Sequence, residues 1–402
     1  MATLLREEGH KINFIDANAL DVEYEWLSRN ISFKQIDCLI FSFNSQILDH
    51  DLEICNIAKV ENPALMTIGY SWYSRVFAKE ILTKYRNLDV CLIGPALSVI
   101  GNLIKALSTN KRLDDLGGIA YRKEGGLIGI NNRMDSEIGF DHLPLPSYDL
   151  VPSFKPYYVI DPFVSPYALV YSGRGCPFGC GFCNVARTRY TFRSADKVVT
   201  ELMMLKARGV KYVWFFDEVF TINKERVFEI CKKIIENDIG VKWFCDARVD
   251  LIDQELLKIM RKSGCIGISY GVESGSQKIL NSMKKGHTVE QAKNALILTR
   301  KVHIPAQCNL ILRYISEDEH TLRETESFVR TTLPSTLQIN IINAKPETEF
   351  TRLVFENKWA DENLNWEKYL AEGLELKNYE AFKFDLDNEI IKMHKILYYN
   401  PK

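Results

Sequence analysis

The stretch Ala168-Leu169-Val170-Tyr171-Ser172-Gly173-Arg174-Gly175-Cys176-Pro177-Phe178-Gly179-Cys180-Gly181-Phe182-Cys183 sets the reading of the whole chain. Its first five residues are strand-like and run straight into three cysteines set among glycines. The glycines let the backbone turn tightly and bring N–H donors close to the sulfurs. A helix is predicted to follow from Ser194 as N-cap, with Val198, Leu202 and Leu205 on one face. Strand, cysteine loop and helix make a first βα unit.

Toward the C-terminus the alternation repeats. Tyr212–Phe216, Val241–Cys245, Cys265–Tyr270, Pro305–Leu312 and Leu337–Ile342 read as further strands. Val227, Ile230 and Ile234 stripe one intervening helix; Leu256, Leu257 and Met260 stripe the next; residues 289–302 form another. Six right-handed βα units predict a partial (β/α)6 TIM-type barrel, two units short of closure. Active sites on such barrels form at the C-terminal strand ends. Residues 350–402 read as a helical C-terminal cap, whose Trp359, Trp366, Tyr369, Tyr379, Tyr398 and Tyr399 are spaced for packing within helices or for lining an apolar pocket.

Toward the N-terminus, residues 121–167 hold Gly125-Gly126 and a series of prolines, and read as an extended connector. Before it, Lys11–Ile15, Cys38–Phe43, Leu65–Ile68 and Val90–Ile93 look like buried strands separated by helix-like sequence. They predict a doubly wound, Rossmann-like parallel sheet. The expected fold is α/β throughout, divided at 1–120, 121–167, 168–349 and 350–402.

The chain has 402 residues, 46% hydrophobic, which is enough for a large core and long for one domain. Lysine plus arginine total 51 against 52 acidic residues, so no basic balance points to nucleic acid or an anionic membrane. No apolar run approaches the roughly 20 residues of a membrane span. The first residues lack the pattern of a signal peptide, and the expected location is cytoplasmic. In that compartment disulfides are rare. Cys38, Cys55, Cys91, Cys231, Cys245, Cys265 and Cys308 are scattered through apolar segments and read as small buried hydrophobes.

Cys176, Cys180 and Cys183 fall within eight residues and need another explanation. A structural zinc site normally takes four protein ligands in paired arms, and no second pair follows. A cube of four irons held by three cysteines leaves one iron open to a ligand. The spacing Cys-x3-Cys-x2-Cys, with Phe182 before the last cysteine, resembles that of the radical S-adenosylmethionine (SAM) superfamily.

The resemblance implies a 4Fe–4S cluster on the three cysteines, with SAM chelated at the open iron and reductively cleaved to a 5′-deoxyadenosyl radical. It implies an electron donor such as flavodoxin or ferredoxin, and a small-molecule or lipid-like substrate. Residue by residue, it sets Phe182 at the adenine and Asp217 and Glu218 at the α-amino group of SAM. Arg248 matches a partner for its carboxylate, or a structural salt bridge. Glu273 and Ser274, in Gly271-Val272-Glu273-Ser274-Gly275-Ser276, resemble the segment that binds its ribose and carboxylate. Two stretches depart from the pattern. Leu312-Arg313-Tyr314-Ile315-Ser316-Glu317 replaces a Gly-leucine-Pro-Gly-Glu-like run, and Pro346-Glu347-Thr348 stands where relatives show a Pro-Gly-Thr-like turn.

Residues 1–150 resemble the cobalamin-binding domain of one subfamily, on Leu4–His10, Phe14–Ala19, Asp37–Ser42, Gly118–Arg122 and Leu143–Pro146. The chain begins where that domain has its first helix, and no Asp-x-His-x-x-Gly run is present. The resemblance sets Ser42, Tyr70 and Trp72 at the cobalamin; Gly69-Tyr70 stands where Gly-Gly is usual, and Tyr70 and Trp72 add bulk there. The function it implies is cobalamin-dependent methylation of an unactivated carbon. Cobalamin-independent radical cyclisation, coupling or rearrangement is the alternative, and a non-catalytic iron–sulfur or zinc protein is the alternative of another class.

Overall fold

The six barrel strands form one sheet in a computed structural model, which describes residues 1–132, 138–157, 165–361, 365–374, 376 and 386–398. They are Tyr167–Val170, Tyr212–Phe215, Lys242–Ala247, Cys265–Glu273, Ala306–Leu312 and Thr336–Ile341. Each pairs in parallel with its sequence neighbours, and the first and sixth are edges, so the barrel is open. The pleat sends alternate residues to opposite faces. Val213, Phe215, Trp243, Cys245, Tyr270, Cys308 and Leu310 are fully buried, while Trp214, Asp246, Ser269, Gln307 and Asn309 alternate with them and stay partly accessible.

The helices cover the buried face with the stripes read from the sequence. Val198, Leu202 and Leu205 lie on the helix Ala195–Ala207, Val227, Ile230 and Ile234 on Lys224–Glu236, and Leu256, Leu257 and Met260 on Gln254–Lys262, all at 2% exposure or less. Burying each such side chain contributes about 1.5–3 kcal/mol. Side-chain caps set the helix starts: Asn223 accepts from Arg226 N, Asp253 from Leu256 N, and Thr288 closes a capping box with Gln291.

The chain divides into two units, Met1–Val151 with Glu362–Glu375, and Pro152–Asp361 with Leu376–Lys402. The first holds a sheet of five strands in sequential order: Cys38–Ser42, Met66–Tyr70 and Val90–Leu92 are parallel, and Ile119–Arg122 and Ile128–Asn131 are antiparallel. Helices Leu48–Glu61 and Ser74–Lys84 make the crossovers between the parallel strands, and Ala96–Ser108 leads into the antiparallel pair.

Three expectations need correction. Lys11–Ile15 forms no strand, because no neighbouring strand offers it a ladder. Gly125-Gly126 is a hairpin loop rather than part of a connector: both glycines have positive φ, +81° and +84°, as a tight reversal between antiparallel strands requires. The sheet therefore runs past residue 120.

The 350–402 segment is not one cap. Helix Trp366–Glu372 packs Tyr369 edge-on against Phe77, ring centroids 5.9 Å apart, inside the first unit. Helix Leu386–Tyr398 packs Met393 and Ile396 within the second, with Lys392 2.9 Å from Glu326. Tyr379 and Tyr399 lie outside the described residues.

Candidate active site

The cysteine loop leaves the first barrel strand through Ser172, which is gripped from three sides. Asp217 accepts from the Ser172 N–H and hydroxyl, both at 2.7 Å, and Arg226 Nη2 donates to its carbonyl at 2.6 Å. Glu218 Oε2 then accepts from Gly175 N at 3.0 Å. Asp217 and Glu218 thus anchor the start of the loop. Burial raises the Asp217 carboxyl to about 6, against the opposing pull of Arg226 and Ser172.

Gly175 has φ +87°, and a Cβ there would lie 2.1 Å from the Arg189 carbonyl oxygen, so the tight turn requires glycine. Thr188 closes the loop, accepting from Cys176 N at 2.9 Å while its own N–H donates to the Cys176 carbonyl.

All ten cysteines are free. Burial raises the thiols of Cys176 and Cys183 above their ordinary value, with the backbone N–H groups of Phe178 and Val185 pulling the other way. The third, Cys180, has Arg248 Nη1 3.9 Å from its sulfur. Among the described residues no group of three His, Cys, Asp or Glu side chains is gathered as a single metal ion requires. Three mostly buried thiols, each with an N–H donor, fit a 4Fe–4S cluster.

Around this loop stand the other residues expected to bind SAM. Glu273 ends the fourth barrel strand with φ +69° and pairs with Lys285 at 2.7 Å; Lys285 Nζ in turn lies 5.8 Å from the Phe182 ring centroid. Phe182 meets Tyr314 edge-on, centroids 6.5 Å apart. Arg248 is bonded twice to Asp250, at 2.9 and 3.0 Å. Phe182, Arg248 and Glu273 are therefore gathered about the loop. Ser274 turns elsewhere: its hydroxyl meets Thr325 Oγ1 at 3.2 Å and caps Ser276 N.

The replaced glycines of the fifth strand end explain themselves in the backbone. Arg313 has φ +65° and Ser316 φ +69°, and Glu347 has φ +62° in the Pro346-Glu347-Thr348 turn. These are left-handed conformations that glycine adopts without strain. Beside them Glu317 is 4% exposed, and burial raises its carboxyl to about 7.

The accessible face of the barrel carries a polar ladder. Trp214 Nε1 donates to Asp246 at 3.1 Å, Asn309 to Ser269 at 2.9 Å, and Gln307 to both Asn309 and Gln338 at 2.8 Å. Tyr171 and Phe216 pack edge-on above the first two strands.

Sequence reasoning missed Lys285, Arg226 and this ladder. Nothing in Lys284-Lys285-Gly286 distinguishes its two lysines, yet Lys284 is a surface residue paired with Glu349, whereas Lys285 is buried. Arg226 sits in a charged helical turn that reads as solvated. In the first unit, Tyr70 and Ser42 are paired neighbours at the ends of the first two strands. Trp72 follows, exposed.

Three cysteines lie just beyond the first strand of an open six-stranded barrel. Residues 170–329 match the model of the radical SAM superfamily, so this part of the chain carries a radical SAM domain. The chain is 25% identical, over its whole length and 87% of the relative's, to an uncharacterised methyltransferase of Pyrococcus horikoshii. It is 27% identical to the anaerobic magnesium-protoporphyrin IX monomethyl ester cyclase of Rubrivivax gelatinosus, over 82% of this chain and 60% of that one. The fold of the radical SAM methyltransferase TsrM from Kitasatospora setae, solved with cobalamin and a 4Fe–4S cluster bound, covers 89% of this chain and 74% of that chain. Its TM-score is 0.73, at 16% identity.

Proposed function

We propose that this radical SAM enzyme is a cobalamin-dependent methyltransferase acting on an unactivated carbon of a small molecule. The observation that carries the reading is the joint presence of the cysteine-loop barrel and a Rossmann-like N-terminal sheet, the pairing found in the methyltransferase solved with cobalamin. The full-length match to a methyltransferase supports it.

When bound, the cluster, SAM and cobalamin supply radical initiation and a transferable methyl group. The chain supplies position. Cys176, Cys180 and Cys183 hold the cluster, with their loop fixed by Asp217, Glu218, Arg226 and Thr188. Glu273 and Lys285 form a polar floor for the amino and carboxylate groups of SAM, and Phe182 a face for its adenine. Ser42, Tyr70 and Trp72 are the candidates to meet cobalamin.

The ladder of Asp246, Ser269, Asn309, Gln307 and Gln338 would hold the substrate by hydrogen bonds, with Tyr171 and Phe216 stacking on it. That lining suits a small molecule with polar groups better than a wholly lipid-like one. Among the described residues no helix is long and apolar enough to cross a membrane, and we assign the enzyme to the cytoplasm with flavodoxin or ferredoxin as electron donor.

The test is anaerobic reconstitution with iron, sulfide and hydroxocobalamin, followed by absorption spectroscopy and assay of 5′-deoxyadenosine. Corrin bands that survive gel filtration, with SAM cleavage, are expected. A reducible cluster that cleaves SAM without retaining corrin would defeat the cobalamin reading and favour cobalamin-independent radical cyclisation, coupling or rearrangement.

A further inference from the structure

We infer that Arg248 is a positioning residue that raises the reduction potential of the cluster by donating an N–H to the sulfur of Cys180. The inference rests on the radical SAM reading and assigns one side chain a part in it.

Arg248 leaves the third barrel strand with 3% exposure. Nε and Nη2 bond the two oxygens of Asp250, and Nη2 also donates to the Lys285 carbonyl at 2.8 Å. The guanidinium carbon lies 3.8 Å from the centroid of the Phe178 ring, two residues before Cys180. With its plane set by Phe178 and two nitrogens held by oxygens, Nη1 is presented to Cys180 Sγ at 3.9 Å. The thiols of Cys176 and Cys183 feel the neutral backbone N–H groups of Phe178 and Val185. Cys180 is served by a charged one.

Hydrogen bonds to ligand sulfurs are among the features that set cluster potentials. Reduction adds one electron to the 2+ cluster and increases the negative charge on its sulfurs, and a fixed cation favours the reduced form. Arginine stays protonated at any working pH, so no proton accompanies the electron. Asp250 both orients the guanidinium and offsets part of its charge. The two residues should therefore move the potential in opposite directions. A role confined to the SAM carboxylate, which Arg248 also suggested in the sequence, predicts neither shift in protein free of SAM.

The experiment is an EPR-monitored potentiometric titration with titanium(III) citrate, without SAM, on reconstituted wild type, Arg248→Met, Arg248→Lys and Asp250→Asn. Each must hold about four irons per chain, as the three-cysteine cluster requires. Arg248→Met is expected to lower the equilibrium constant for reduction about tenfold, 59 mV more negative for one electron. Arg248→Lys should fall between, and Asp250→Asn should shift positive.

Calorimetric SAM titrations of the oxidised proteins complete the test. Unchanged potentials with weakened SAM binding would overturn the inference and give Arg248 to the SAM carboxylate. Shifts of one sign in all variants would make its role purely structural. If Arg248→Met does not assemble a cluster, the opposite signs of Arg248→Lys and Asp250→Asn decide. A wild type without a reducible four-iron cluster would sink the radical SAM reading itself, a separate outcome.

Discussion

Lys285 Nζ lies 2.7 Å from Glu273 Oε1, and the two side chains are only 8% and 9% exposed. The pair folds over Gly271, where a Cβ would sit 2.5 Å from Glu273 Oε1 and 2.9 Å from Lys285 Nζ. A buried pair contributes little net stability, but removing one partner strands the other without solvent. Lys285→Met should cost about 3–5 kcal/mol in urea unfolding, and Glu273→Met with Lys285→Met should recover much of it. Additive losses in that cycle would show that the pair is not coupled.

Gly175→Ala tests the loop that carries the first cysteine. Positive φ and the Arg189 carbonyl both exclude a side chain, and a strained backbone residue costs about 1–3 kcal/mol. The variant should retain its helical circular dichroism while binding well under half the wild-type iron. Full iron incorporation would mean that the loop tolerates a different path.

The three cysteines differ from the rest in what their loss does. Cys176→Ala, Cys180→Ala and Cys183→Ala should each abolish the reducible cluster signal. Cys231→Ala should leave it, because Cys231 is fully buried under Ser263 with its thiol pushed up to about 12 by burial. A lost cluster in Cys231→Ala would make that cysteine part of the site.

How much of this the sequence disclosed depends on whether the signal was local. The cysteine loop, the barrel strands and the apolar stripes of Val198, Leu202 and Leu205 depend on periodicity and spacing, and all were legible. The hairpin at Gly125-Gly126 was not, because its strands have four residues each and no alternation to detect. Lys11–Ile15 looked like a strand because its composition is right; a strand also needs a neighbour, which composition does not report. Lys285 and Arg226 were hidden for the same reason: each is buried by partners far away in sequence, Glu273 for one and Ser172 for the other.

Ser316 allows a test in the stabilising direction. It is exposed and holds φ +69°, in the run that stands in place of the Gly-leucine-Pro-Gly-Glu-like pattern of the family it resembles. Left-handed backbone costs a residue with a Cβ about 1 kcal/mol relative to glycine, less the entropy that glycine gains on unfolding. Ser316→Gly should raise unfolding stability by several tenths of a kcal/mol. A loss would show that the hydroxyl makes a contact worth more than the strain.

Asp217 gives the last prediction, a dependence on pH. Its carboxyl is 2% exposed, and burial raises it to about 6 despite Arg226 and the two Ser172 donors. An unfolded aspartate titrates near 3.9, so between about pH 4 and 6 the folded chain binds more protons than the unfolded one. A raised pKa contributes stability that is fully present below the unfolded value and is lost as pH rises through the folded one. The shift of roughly two units corresponds to about 3 kcal/mol at most. Asp217→Asn keeps an acceptor for the Ser172 N–H and removes the titration. Urea unfolding of the cluster-free chain, in which acid loss of iron plays no part, should show wild-type stability declining from pH 4 to 6 relative to Asp217→Asn. Parallel profiles would mean that Asp217 is ionised throughout, held down by Arg226 more strongly than burial pushes it up.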